Sequence, residues 1–267
     1  LRMSPRSCLI TGASSGIGAA LADGFAARGE PIVLCARRID RLEALACDLR
    51  RRHGVAVTVI GCDLTDPVGP DRLLEALAQR HVQVGTLVNN AGFGLRGDYT
   101  DSPWPEAAAM LQLMVTAPAR LCHALLPAMQ ASGSGAIVNI ASLAGLIPGL
   151  PGSTLYSASK AFLIRFSQSL AAEQGTGGVR VLAVCPGYVH TEFHAVLGVE
   201  ERMRRLPGLF WMEADDLTRR VLEALEGRQA VVVPGLLNRT MATLAQLLPA
   251  SATAQLSAAF SRRYRGR

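Results

Sequence analysis

Lysine is almost absent from this chain. Of its 27 basic residues, only Lys160 is a lysine, and the others are arginines. Arginine therefore serves wherever general positive charge is needed. The single ammonium marks a position that calls for a compact charge with three donors, where a planar guanidinium would not fit. Aromatic residues are also scarce, at 5%. That leaves no stacking platform for nucleic acid bases, and the arginines form no basic recognition helix, so no nucleic-acid partner is expected. The six cysteines (Cys8, Cys35, Cys47, Cys62, Cys122 and Cys185) include no CxxC pair and no metal-like spacing. Several lie in apolar runs and read as small buried hydrophobes in a reducing compartment, so a cytoplasmic location is expected. His190 and His194 stand four apart with no third ligand pattern nearby, so no metal site is expected. No run of about 18 purely apolar residues occurs, which argues against a transmembrane helix. A glycine loop begins within about a dozen residues of Leu1, so no signal peptide is expected ahead of the fold.

What is present is a regular alternation. Short apolar runs at Cys8 to Ile10, Ile32 to Ala36, Val55 to Ile60, Thr86 to Val88, Ala136 to Ile140, Val179 to Val184 and Ala230 to Val233 read as strands. Between them, helical patterns cover Ala19 to Ala27, Arg41 to Arg52, Asp71 to Arg80, Glu106 to Met129 and Ser157 to Glu173. With 49% hydrophobic residues in 267, the pattern predicts one doubly wound, Rossmann-type α/β domain. Its seven-stranded sheet would be mostly parallel, with helices on both faces. This domain would occupy residues 1–235, with a substrate lid near 189–212 and a helical extension over 236–267. The loops after the strands, at Thr11, Arg37, Asp63, Asn89, Ala141 and Cys185, should converge on one crevice.

The first of those loops reads Thr11-Gly12-Ala13-Ser14-Ser15-Gly16-Ile17-Gly18. Glycines between a strand and a helix allow a tight turn and close approach of a pyrophosphate to backbone N–H groups. The GxxxGxG spacing differs from the commoner GxGxxG, but its place after the first strand supports a dinucleotide site. The second strand ends in Ala36-Arg37-Arg38 with no acid until Asp40. An acidic residue here would bind a ribose 2′-hydroxyl, whereas arginine attracts a 2′-phosphate, so NADP(H) is favoured over NAD(H). Arg37, first off the strand, is the stronger candidate of the two, and Ser14 can also reach the phosphate.

Tyr156 and Lys160 are four apart in a helical segment and so share a face. An adjacent ammonium lowers a tyrosine pKa and makes the phenol a usable acid and base near neutrality.

Together these segments resemble the short-chain dehydrogenase/reductase family, with five motifs in order across about residues 6 to 235. The glycine motif matches Thr11 to Gly18, and an Asn-Asn-Ala-Gly motif matches Asn89 to Gly92. A Tyr-x-x-x-Lys motif matches Tyr156 to Lys160, a serine fourteen residues earlier is Ser142, and a Pro-Gly motif matches Pro186-Gly187, followed by Thr191. The resemblance implies an oxidoreductase in which Tyr156 protonates a carbonyl oxygen, Ser142 hydrogen-bonds it, and Lys160 holds the nicotinamide ribose and depresses the tyrosine pKa. It also implies a cofactor held by Gly12, Ser14, Ser15, Gly16, Ile17 and Gly18, by Arg37 and Arg38, and by Asp63 and Leu64 beside the adenine. Asn90, Ala91 and Gly92 would line it, and Pro186, Gly187, Val189 and Thr191 would hold the nicotinamide. A homodimer or homotetramer through the helices at Glu106 to Met129 and Ser157 to Glu173 is implied as well.

One position departs from the family pattern. An asparagine usually follows the second Asn of Asn-Asn-Ala-Gly by about 24 residues and helps a water chain deliver protons to the lysine. Here that position is Met114, whose thioether donates nothing. Gln112 and Thr116 would face other sides of a regular helix. The substitution leaves open a cofactor-binding scaffold or sensor with weak turnover.

The substrate side is expected to be lined from Phe93-Gly94, from Leu143 to Leu155 and from Val189 to Trp211, whose Leu143, Leu146, Ile147, Leu150, Phe193, Val196, Leu197, Leu209, Phe210 and Trp211 are apolar. Apolar walls suit a lipophilic ketone, aldehyde or ketoacyl chain. Arg202, Arg204 and Arg205 either meet an acidic substrate or form a solvated helix face. Thr240 to Phe260 carries no charge and precedes a basic cluster. It reads as a subunit-packing segment, with peripheral membrane contact as the alternative.

Overall fold

The computed structural model describes residues 6–175, 177–192 and 206–265. The strands β1 (Ser7–Thr11), β2 (Ile32–Ala36), β3 (Val57–Gly61), β4 (Val84–Asn89), β5 (Gly135–Ile140) and β6 (Val179–Val184) carry the sheet. A short pair follows, β7 (Tyr188–Val189) and β8 (Trp211–Met212), and the last strand is β9 (Val231–Val232). The main sheet has the order β3-β2-β1-β4-β5-β6-β9, and every pair in it is parallel. This is the seven-stranded doubly wound sheet expected from the alternation. The chain order reverses between β1 and β4, which opens a crevice at their carboxyl ends.

The helices are α1 (Gly16–Ala27), α2 (Ile39–His53), α3 (Gly69–Gln79), α4 (Trp104–Ala131), α5 (Thr154–Gln174), α6 (Ala214–Glu226), α7 (Leu236–Leu247) and α8 (Ala250–Arg265). One face of the sheet is covered by α1, α2 and α6, whose Leu21, Phe25, Leu42, Leu49, Leu217 and Val221 are buried against Ile10, Leu34 and Val138. The other face is covered by α3, α4 and α5, through Leu73, Leu77, Leu121 and Leu170 against Leu9, Val33 and Leu87. Continuous apolar strands such as β2 (IVLCA) follow from this two-sided cover, because neither face meets water.

Helix α4 is long and apolar enough to cross a membrane by length and composition alone. In the fold, its Ala107, Met110, Met114, Leu121, Cys122 and Met129 are buried within the domain. Nor is it regular. Pro118 has no N–H to bond the Met114 carbonyl, and its ring crowds that group. The ladder shifts to a π-turn over Gln112–Thr116, in which the Ala117 N–H bonds the Gln112 carbonyl. The expectation that Gln112 and Thr116 sit as on a regular helix is therefore corrected. Gln112 is half-buried, and its Nε2 atom is buried without a hydrogen-bond partner.

Candidate active site

A cleft of about 1230 Å³ runs along the carboxyl ends of the strands. At one end, the turn after β1 takes the left-handed conformation at Gly12 (φ 67°) and Gly16 (φ 55°), which only glycine adopts without strain. No side chain caps α1, so the N–H groups of its first turn are left for an anion. The loop is braced from behind by Asn90, whose Nδ2 donates to the carbonyls of Thr11 (2.9 Å) and Gly12 (3.2 Å). The Thr11 hydroxyl in turn accepts from the N–H groups of Asn90 and Ala91, at 3.0 and 3.1 Å. Ser14, Ser15, Gly16 and Ile17 line the cleft, but Gly18 does not. Gly18 is a spacer: a Cβ there would lie 2.6 Å from Asn90 Nδ2 and overlap the Gly12 carbonyl oxygen.

Both arginines after β2 reach the cleft, in unequal ways. Arg37 is mostly exposed and lies 3.8 Å from the Asp63 carboxylate. Arg38 is tied to the glycine loop, with Nη2 donating to the Ser14 and Ser15 hydroxyls at 3.0 and 2.8 Å. Of the two, Arg38 is thus the one fastened to the glycine loop. Asp63 also accepts from the Thr65 N–H (2.9 Å) and hydroxyl (2.7 Å). Burial pushes its carboxyl up, but these bonds and Arg37 hold it below the usual range. Leu64 lies beside it in the cleft wall.

At the other end, Ser142, Tyr156 and Lys160 all line the cleft, as do Ala91, Gly92, Pro186, Gly187, Val189 and Thr191. Ser142 ends the loop after β5, and its Oγ accepts from the Ala144 N–H at 3.1 Å. Tyr156 and Lys160 come from the first two turns of α5, and the ammonium lies 5.6 Å from the centre of the phenol ring. Lys160 is only 5% exposed, and its Nζ donates to the Ile140 carbonyl at 2.7 Å. Burial pulls its pKa down to about 8, while the nearby Cys185 thiol acts weakly in the opposite sense. Met114 is fully buried beside the same point. A Cβ placed on Gly92 would lie 3.5 Å from Met114 Sδ and 3.7 Å from Lys160 Nζ.

The substrate end is bounded by Phe93, Gly94, Leu143, Ile147 and Leu150, as expected, and by Met241, Leu244, Leu248 and Leu256 of the C-terminal region. Ser257 anchors α8 there by donating to the Pro148 carbonyl at 3.3 Å. The uncharged tail, read as a subunit-packing segment, thus forms a wall of the cleft. Its signal was in the sequence: Met241, Leu244, Ala245 and Leu248 recur at helical spacing on one face. Other expectations on this side are corrected. Leu146 packs into a small core cluster with Ala141 and Ile164. Trp211 stacks on His190 (4.5 Å between ring centres) beside Tyr188, outside the cleft, and Leu209 and Phe210 do not line it either. Phe193, His194, Val196, Leu197, Arg202, Arg204 and Arg205 lie outside the described residues. Among the described residues, no group of three metal-ligating side chains occurs.

Sequence reasoning also missed a buried polar chain. Asn89 donates to Asn139 (2.8 Å), Asn139 to Ser167 (2.8 Å), and Ser167 to the Leu163 carbonyl (2.7 Å). It fastens β4 to β5 and β5 to α5, and so fixes α5, which carries Tyr156 and Lys160, relative to the sheet.

The profile of the short chain dehydrogenase family matches residues 6–201. The chain belongs to this family. A sulfoacetaldehyde reductase of Chromohalobacter salexigens is 44% identical over 192 residues, which is 70% of this chain and 74% of the relative. A short-chain dehydrogenase from Sphingobium yanoikuyae, solved in complex with NADPH, is 36% identical with a TM-score of 0.80, covering 91% of this chain and 96% of that one. A bulky-bulky ketone specific alcohol dehydrogenase from Comamonas testosteroni is 33% identical with a TM-score of 0.75, covering 92% and 95%. As a short-chain dehydrogenase, the chain is an oxidoreductase acting on alcohol and carbonyl groups.

Proposed function

We propose that this short-chain dehydrogenase is an NADP(H)-dependent reductase of lipophilic ketones, aldehydes or ketoacyl chains, with Tyr156 as its acid. The observation that carries this reading is the single cleft that joins an uncapped helix N-terminus and Arg38 at one end to Ser142, Tyr156 and Lys160 at the other. Residues at the first end suit a dinucleotide carrying a 2′-phosphate: open N–H groups for a pyrophosphate, and arginine in place of an acid after β2. The neighbour from Sphingobium yanoikuyae, with its NADPH, supports the same choice.

When bound, the nicotinamide supplies or accepts the hydride. The protein residues manage the proton and the charge. Tyr156 donates its phenolic proton to the carbonyl oxygen as negative charge builds there. The Ser142 hydroxyl donates a hydrogen bond to the same oxygen. The Lys160 ammonium favours the phenolate left behind, and burial makes its charge count for more than it would in water. Lys160 meets the Ile140 carbonyl directly, while Met114 fills the adjoining space with a group that cannot hold a water. The walls from Ile147, Leu150, Leu244, Leu248 and Leu256 favour an apolar substrate. The reading includes a homodimer or homotetramer built on α4 and α5, to be checked by sedimentation.

The test is NADPH oxidation against a panel of lipophilic ketones, aldehydes and β-ketoacyl thioesters, with NADH alongside and Tyr156→Phe as the control. A positioned general acid contributes about 10²–10⁴-fold. The variant should lose turnover on that scale and keep its affinity for NADPH. Met114 favours one other reading, a cofactor-binding sensor with little turnover. NADPH binding without turnover on any carbonyl would establish that reading instead, whereas activity unchanged in Tyr156→Phe would mean that this tyrosine is not the acid.

A further inference from the structure

The adenosine end of the cleft already holds an anion, and it comes from the protein. Glu192 follows Thr191 in the loop after β7 and lines the cleft. Its carboxylate meets Arg41, on the first turn of α2, with Nη1 at 2.8 Å from both oxygens. It also meets Arg38 Nη1 at 3.2 Å. The same Arg38 guanidinium donates through Nε and Nη2 to Ser14 Oγ, at 3.2 and 3.0 Å, and through Nη2 to Ser15 Oγ at 2.8 Å. One carboxylate, two guanidiniums and two glycine-loop hydroxyls therefore form one cluster at the mouth of the cleft. The two arginines hold the Glu192 carboxyl below its usual range, so it is ionised throughout the neutral region.

We propose that Glu192 is an internal stand-in for the cofactor's 2′-phosphate. A 2′-phosphorylated dinucleotide binds by displacing this carboxylate from Arg38 and Arg41, and Arg41 then becomes a phosphate ligand. The inference rests on the NADP(H) reading above and deepens it.

The exchange follows from charge and valence. A phosphate monoester carries about −1.5 to −2 charges and three acceptor oxygens, and so outcompetes a single carboxylate for two guanidinium forks. A neutral ribose 2′-hydroxyl brings no charge and leaves the Glu192 pairs intact. The pairs are about half exposed, and exposed ion pairs of this kind are weak, so displacement costs little. While the site waits, the carboxylate keeps both arginines gathered beside Ser14 and Ser15, where they would otherwise repel each other. Glu192 thus lowers the affinity for the phosphorylated cofactor by a modest factor and leaves the unphosphorylated one unaffected.

Titration calorimetry with two fragments tests this, using 2′,5′-ADP and 5′-AMP on the full chain. Glu192→Gln should bind 2′,5′-ADP about threefold to tenfold more tightly, the range expected for release of two exposed pairs, with 5′-AMP affinity unchanged. Adding Arg41→Gln to that variant should weaken 2′,5′-ADP again and still leave 5′-AMP alone. If Glu192→Gln leaves 2′,5′-ADP affinity the same or lowers it, Glu192 does not compete with the phosphate and the proposal is wrong. If Arg41→Gln has no effect in the Glu192→Gln background, Arg41 is not a phosphate ligand and that half of the proposal falls. The NADP(H) reading fails separately, and before any variant is made, if the unaltered protein binds 2′,5′-ADP no better than 5′-AMP.

Discussion

A lysine surrounded by apolar groups titrates far below its solution value, and this has consequences for stability as well as chemistry. Lys160 is buried in the cleft wall, and burial pulls its pKa from 10.5 to about 8. Below pH 8 the ammonium is charged in both the folded and the unfolded chain. The folded state then bears the full desolvation penalty, roughly 3 kcal/mol, since each tenfold change in the protonation equilibrium is worth about 1.36 kcal/mol. Between pH 8 and 10.5 the folded chain has lost this proton while the unfolded chain still holds it. Stability contributed by this group therefore rises with pH across that window. Lys160→Met removes the titration. Urea denaturation at about pH 7.5 and 9.5 should show the unaltered protein gaining about 2 kcal/mol relative to the variant. A parallel pH dependence in the two proteins would mean that Lys160 titrates near its solution value. At the same scale, the pairing of the only lysine with a tyrosine four residues earlier was legible in the sequence, because both spacing and composition pointed to it. Arg38's greater closeness to the glycine loop was not legible. Adjacent residues after a strand point in different directions, and only the backbone path decides which one turns back toward Ser14.

At the scale of elements, the glycine loop and the C-terminal helices pose different problems. The loop was readable because its glycines answer a local need for left-handed turns. The role of Gly18 was not, since it depends on Asn90, which arrives from β4. Gly18→Ala would drive a methyl group into the Gly12 carbonyl and Asn90 Nδ2. Overpacking of this sort costs about 1–3 kcal/mol. A fall of that size in urea stability, with weaker NADPH binding, is the expected result; unchanged values for both would mean that α1 can shift aside freely. The place of the C-terminal helices against the cleft was not legible for a related reason. Periodicity shows that a helix has an apolar face, but not what that face meets. Leu244 and Leu256 remain 52% and 62% exposed while lining the cleft, so a bulky substrate would cover them. Replacing both by Ala should raise KM for bulky ketones by about tenfold, at roughly 25 cal/mol for each Å² of apolar surface that the substrate no longer covers, and leave KM for a small aldehyde unchanged. Equal effects on both substrates would show that the helices serve only to hold the loop at Pro148.

Across the whole molecule, the alternation of strands and helices sufficed to give the parallel sheet and the side on which its loops gather, because a doubly wound sheet has few ways to satisfy its connections. Charge could not be placed so easily. A net charge of +6 spread along the chain resembles an ordinary solvated surface, and the gathering of Arg37, Arg38 and Arg41 at one end of the cleft exists only in the fold. That local concentration makes a prediction that the diffuse surface charge does not. A 2′-phosphate meeting these arginines is attracted over a screening length of roughly 30 Å at 0.01 M salt but only about 8 Å at 0.15 M. NADPH affinity should therefore fall more steeply than NADH affinity as salt rises through that range, and the ratio between them should shrink. Fluorescence titration of both cofactors at several ionic strengths measures it directly. If the two affinities fall in parallel, the salt effect belongs to the pyrophosphate and the overall positive field, and the arginines after β2 do not select the phosphorylated cofactor by charge.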